Sequence, residues 1–208
     1  MKTPLLIVGA GNVGGFLSYN IEEFGDYDII GFLDDDKNKI GKTIYDRQVL
    51  GPVSTAHQYR NKNIAVAIGI ANPFIKRKIA KDLTPLGFHF PSFISQNIWL
   101  SKHVKVGKGV ILYPSTSINY ATDIGNFVIV NMNCAIGHNC SILDYATLAP
   151  GVNLGGFTHI GEAVDIGIGV STKQGITVGD DTIIGGQSML IHDVIKNSKI
   201  VGVPGRSI

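Results

Sequence analysis

From Leu100 to Leu190 an aliphatic residue returns at every sixth position, with no insertion and no deletion: Leu100, Val106, Leu112, Ile118, Ile124, Val130, Ile136, Ile142, Leu148, Leu154, Ile160, Ile166, Thr172, Val178, Ile184 and Leu190. Fifteen of these sixteen are aliphatic. Four residues after each stands a small or β-branched side chain, as at Thr116, Thr122, Cys134, Cys140, Ala146 and Thr158. Both series are expected to point inward. Immediately after the aliphatic, Gly recurs eight times, at 107, 125, 137, 155, 161, 167, 179 and 185, where the backbone must be tight. A hexapeptide period marks a parallel β-helix in which each hexad is one short strand plus a turn and three hexads close a triangular coil. Sixteen hexads make about five coils, a prism roughly 25 Å long at ~4.8 Å between strands. Each coil covers the unpaired edge of its neighbour, and the ends are to be capped by the preceding domain and by residues 195–208.

Before the repeats the pattern is different. The apolar run Leu5–Val8 leads into Gly9-Ala10-Gly11-Asn12-Val13-Gly14, and residues 13–24 suit a helix. A second strand, Tyr27–Leu33, ends in Asp34, Asp35 and Asp36. A third, Ile64–Ile68, runs into Gly69, followed by a helix over Asn72–Leu83 and a fourth strand over Phe88–Ile94. Strand, glycine turn, helix and a second strand closing on acids predict an α/β Rossmann-like domain over residues 1–95, ahead of a β-helix domain with a C-terminal cap over 96–208. Glycines at such a turn let a diphosphate approach the backbone at a helix N-terminus. Alternatively they only permit close strand-to-helix packing. Asp36 suits a cap for the segment after it, and residues 76–78 (Lys-Arg-Lys) suit a solvated helix face.

Charge narrows the function. A net charge of +2 with 16% charged residues provides no basic stripe for nucleic acid. No stretch reaches membrane-spanning length. The run Pro4–Val8 is too short for a signal segment, and two cysteines on inward positions make no disulfide framework, so a reduced, cytoplasmic protein is expected.

His138, in Cys134-Ala135-Ile136-Gly137-His138-Asn139-Cys140, is the candidate for chemistry. On an eighteen-residue lattice its neighbour one coil further is Gly156 (156 − 138 = 18). An imidazole beside a bare glycine amide offers proton removal and a donor to a developing oxyanion, the two needs of thioester acyl transfer. Asn139 is placed to orient the ring. The plain alternative is a surface turn histidine. His57, His89 and His103 lie outside the best-defined coils, and His159 falls at a turn position without an obvious partner. His192 shares the column of His138, three coils and roughly 14 Å away. The spacings 21 and 33 between His138, His159 and His192 do not supply a three-histidine metal site, so no metal is expected. A nicotinamide oxidoreductase would need a separate catalytic domain, and the repeats leave no room for one.

The segments VGAGNVGG, GFLDDD, AIGIANPFIKRK, IGHNCSILDYATLAPGVNLGG and VGVPGR together resemble the bacterial sugar acetyltransferases of the PglD/NeuD type. The resemblance implies a homotrimer of left-handed β-helices, with acetyl-CoA in the groove between subunits and a nucleotide-linked amino sugar on the N-terminal domain. It makes His138 the general base and turns the Gly156 amide toward the acetyl carbonyl. Gly9, Ala10 and Gly11 match the turn at the nucleotide sugar, Asp34 and Asp35 the acids holding the base, and Asn72 and Lys76 the pair on the following helix. Gly167, Ile168, Gly185 and Pro204 fall on stretches that resemble the CoA-contacting coils and tail. Two positions depart from the pattern: Asn139 stands where an acid usually follows the histidine, and Thr147 where some members carry a second histidine near the cofactor. N-acetylation is the leading expectation. O-acetylation of a sialic-acid type of sugar and a non-catalytic trimeric nucleotide-binding scaffold are the alternatives.

Overall fold

The computed structural model describes residues 2–60 and 63–208. The chain forms two compact units, Met1–Ala71 with Ile75–Pro91, and Asn72–Phe74 with Ser92–Ile208.

In the first unit the elements run β1 (Thr3–Val8), α1 (Asn12–Tyr19), β2 (Tyr27–Leu33), β3 (Thr43–Ile44), β4 (Arg47–Gly51), β5 (Ala65–Ile68) and α2 (Pro73–Leu83). The sheet order is β3-β4-β2-β1-β5, parallel except for the β3/β4 hairpin. Leu5 to Val8 and all of β5 are buried, as expected of central parallel strands. Three features differ from the expectation. The helix expected over residues 13–24 stops at Tyr19, because Asn20 turns both its backbone N–H and its side-chain amide onto the Phe16 carbonyl, and the chain continues as a 3-10 turn over Ile21–Phe24. The strand expected over residues 88–94 is broken at Pro91, which has no N–H to give a ladder. What remains of it is one bridge between His89 and Ala65, and Phe93–Ile94 pairs instead with Ile111–Leu112. The hairpin itself was not expected: its turn places Tyr45 and Asp46 at φ 48° and 59°, a conformation usually announced by Asn-Gly or Asp-Gly.

The second unit is the coil that the hexads predict. Its rungs stack in three faces: a first running from Trp99–Leu100 to Met189–Leu190, a second from Lys105–Val106 to Thr177–Val178, and a third from Phe93–Ile94 to Arg206–Ser207. Register is eighteen residues per coil, Ile118 to Ile136 to Leu154. The ladder starts one hexad earlier than the repeat, at Phe93–Ile94, and gains a further rung, Lys199–Val201, within the segment expected only to cap. That last coil is two residues short, since Ile184 pairs with Ile200 (200 − 184 = 16).

Both inward series form one column-like core from Val110 to Ile200. Leu100, expected inside, is 36% exposed at the first coil. Cys134 and Cys140 are free and buried, and desolvation pushes the Cys134 thiol up to about 11, so it stays protonated. The glycines that follow the aliphatic residues are needed for stacking: a Cβ on Gly137 would lie 2.5 Å from the Gly156 nitrogen, and one on Gly179 2.5 Å from the Lys196 nitrogen. Left-handed backbone falls instead two residues later, at every sixth position from His103 (φ 61°) to Gln187 (φ 60°), where each corner turns. Asn, as at 133 and 139, tolerates that region better than most residues.

Candidate active site

The corner between the first and second faces carries one residue per coil in a column: Lys102, Tyr120, His138, Gly156, Gln174 and His192. His138 is held from both sides. The Tyr120 ring stacks on it at 5.1 Å between centroids and 10° between planes, and the Phe157 ring meets it edge-on at 5.0 Å and 85°. Asn139, in the left-handed turn (φ 54°), donates its backbone N–H to the Tyr120 carbonyl at 3.0 Å. Its side-chain Oδ1 lies 3.0 Å from His138 Nδ1. A carbonyl oxygen only accepts, so in the neutral ring this arrangement puts the proton on Nδ1 and the lone pair on Nε2.

Nε2 faces Gly156, where it stands 2.8 Å from the place a Cβ would occupy. The Gly156 carbonyl accepts from Gly175 N–H, whereas the Gly156 N–H has no acceptor among the described residues. An open groove of about 440 Å³ along the first face, lined by Ser117, Asn119, Gly137, Asn153 and Gly155, reaches this corner. Asp144, the nearest acid in sequence, is at the next corner and takes both the backbone and side-chain N–H groups of Asn126. It does not replace an acid at position 139. His159 is not the unpartnered turn residue expected: it lies on the second face with Ser141 Oγ 2.7 Å from its Nδ1.

The other expected cofactor residues do not gather around His138 within one chain. Thr147 is buried on a rung of the third face, Gly167, Ile168 and Gly185 follow the corner between third and first faces, and Pro204 is in the exposed turn before the last strand. Ile168 is 60% exposed, an unusual position for so large an aliphatic.

In the first unit a cleft of about 400 Å³ opens above the glycine turn, walled by Gly9, Gly11, Asn12, Asp34, Asp35, Lys39 and Ile75, among others. The three turn glycines are not equivalent. Gly9 has φ 99° and no room for a Cβ beside Ile70, and a Cβ on Gly14 would run into the Gly9 carbonyl. Both serve packing. A Cβ on Gly11 would meet nothing within 4 Å, so the space before it is the cleft, and α1 begins there without a side-chain cap. Gly14→Ala is therefore expected to cost about 1–3 kcal/mol or more of stability. Gly11→Ala should shift the melting temperature far less while narrowing the cleft, and thermal denaturation of the two variants separates the roles.

Asp34 is fully engaged: Oδ2 accepts from Ala10 N–H at 2.8 Å and from Lys39 Nζ at 3.0 Å, and Oδ1 from Asp36 N–H at 2.9 Å. Burial opposes its ionisation, but these donors outweigh it and hold the carboxyl below its usual range. Asp35 spends one oxygen on Val53 N–H at 2.8 Å and also borders the cleft. Asn72 receives Phe74 N–H at 3.1 Å ahead of α2. Lys76, expected on a solvated face, is instead 1% exposed, on the same side of α2 as the buried Ile79, Ala80 and Leu83. Tyr120, Phe157 and Lys39 are among the site-lining residues that the motifs did not single out. Two of them were within reach, since 138 − 18 and 139 + 18 give 120 and 157.

The chain is thus a Rossmann-like unit followed by a β-helix of hexapeptide coils, with a histidine laid over a glycine at one corner. Residues 4–83 match the PglD N-terminal domain family. The acetyltransferase domain of PglB from Neisseria gonorrhoeae FA1090 superposes with a TM-score of 0.91 at 25% identity over 100% of both chains. PerB from Caulobacter crescentus, in complex with CoA and GDP-perosamine, shares the fold with a TM-score of 0.92 at 22% identity, over 100% of this chain and 98% of that one. A GDP-perosamine N-acetyltransferase from Escherichia coli O157:H7 is 31% identical over 109 residues, 52% of this chain and 49% of that protein. The chain spans about half the length of the curated relatives it matches.

Proposed function

We propose that this protein is an acetyl-CoA-dependent N-acetyltransferase acting on a nucleotide-linked amino sugar, as a cytoplasmic homotrimer with active sites between subunits. The observation that carries the reading is the free Nε2 of His138 lying over the Gly156 peptide, whose N–H is unspent. The sugar amine attacks the thioester carbonyl, its proton passes to His138 Nε2, and the Gly156 N–H stabilises the oxyanion that forms. Collapse of the tetrahedral species breaks the C–S bond, and the imidazolium returns the proton to the departing thiolate. No acyl-enzyme is involved.

Asn139 fixes the tautomer but, being neutral, gives the imidazolium no counter-charge. That suits an amine, a good nucleophile once deprotonated, better than a hydroxyl, which leans more on its base. Binding is divided between the cleft at Gly11 and Asp35 for the nucleotide and the coils for CoA, with Thr147, Gly156, Gly167, Ile168, Gly185 and Pro204 as the CoA-contacting set. The similarity to a GDP-perosamine N-acetyltransferase supports the substrate class. Incubation of the full chain with acetyl-CoA and a panel of UDP-, GDP- and dTDP-amino sugars is expected to release free thiol with one of them. Absence of release with every member overturns the assignment.

A further inference from the structure

We infer that Lys39 is the cation that receives the diphosphate of the nucleotide, and that Asp34 serves to hold Lys39 and the glycine turn rather than to grip the base. The inference rests on the nucleotide-sugar reading above. Its basis is the way the cleft commits its charges.

The cleft wall contains three ionisable side chains, Asp34, Asp35 and Lys39. Asp34 has a donor on each oxygen, two of them on Oδ2, and its side chain is 13% exposed, which leaves it little to offer a nucleobase. Lys39 is fixed at both ends. Its backbone N–H donates to Asp36 and its carbonyl accepts from Lys42, while Nζ donates to Asp34 Oδ2 at 3.0 Å and to the Ala10 carbonyl at 3.3 Å. An ammonium has three donors, so one N–H remains, on a side chain that is still 30% exposed. It stands beside the Ala10–Gly11 turn, where Gly11 leaves open space and α1 presents its uncapped first amides. A diphosphate entering here meets one carboxylate already neutralised by Lys39 and a second, on Asp35, that is not. Without a shared cation its charge would be repelled. A lysine is a compact point charge suited to phosphate, and Asp34 holds it in place before the ligand arrives. Asp35, with one oxygen uncommitted, is then the acid for the base.

The test is isothermal titration of the wild-type chain and Lys39→Met with GDP and guanosine, and with UDP and uridine. Methionine keeps an unbranched apolar stem one atom shorter and removes the charge. Loss of one charged hydrogen bond predicts that diphosphate affinity falls on the order of 10- to 100-fold, with nucleoside affinity unchanged. In the wild type, added salt should weaken diphosphate binding more than nucleoside binding, and Lys39→Met should flatten that difference. An equal loss for diphosphate and nucleoside would show that Lys39 only supports the turn, and no loss for either would show that it does not meet the ligand. Each overturns the inference while leaving nucleotide binding intact. If the wild type binds neither diphosphate, it is the nucleotide reading itself that fails.

Discussion

Replacing His138 with alanine is expected to lower kcat by about 10²- to 10⁴-fold, the range that a positioned general base contributes. The fold should be nearly indifferent. The ring is half-buried at a corner, its contacts are Tyr120, Phe157 and Asn139, and none of the inward columns depends on it. Melting temperature and the KM for both substrates should therefore stay close to wild type, so that the loss is in kcat alone. The measurement is steady-state thiol release at saturating acetyl-CoA, alongside a thermal melt. A variant retaining most of its activity would mean that the imidazole is only a corner residue. A variant that melts early would instead show that the aromatic sandwich supports the coil.

The coil and the stacking of His138 on Gly156 could be read from the chain because a β-helix is quasi-one-dimensional. Once the period is known, residue 138 must stack on 156 whatever the rest of the molecule does. The same arithmetic explains why Tyr120 and Phe157 appear on either side of the ring. It also shows where the lattice ends: the final coil drops two residues between Ile184 and Ile200, and Leu100 lies at an end where no full coil covers it. The first unit was less legible. Its parallel strands follow from apolar runs, but the β3/β4 hairpin turns on Tyr45 and Asp46, which carry no local turn signal. Lys76 is buried although charge argues for solvent, which is the commoner outcome for lysine. The sharing of labour between Asp34 and Asp35 depends on which carboxylate the Ala10 and Val53 amides reach, and no spacing in the sequence reports that.

Gly156→Ala is expected to remove most of the activity while sparing the fold, because the added methyl meets the His138 ring and not the backbone. Its Cβ would stand 2.8 Å from His138 Nε2 and 3.0 Å from Cε1, too close for either to stay. The backbone is not in the left-handed region at Gly156, so alanine is conformationally acceptable there. The ring is the element that can yield, swinging away from a corner where it is only half-buried. A displacement of about 1 Å between the base and the amide that share the reacting group is expected to cost on the order of 10²-fold in kcat. Gly137 provides the contrast, since a Cβ there would lie 2.5 Å from the Gly156 backbone nitrogen. Gly137→Ala must push adjacent coils apart and should lower the melting temperature as well as the rate. If the methyl at 156 acts by moving the ring, Gly156→Ala combined with His138→Ala will be little slower than His138→Ala alone, because the two changes remove one function. Fully additive losses would mean that Gly156 is required for something other than the imidazole beside it.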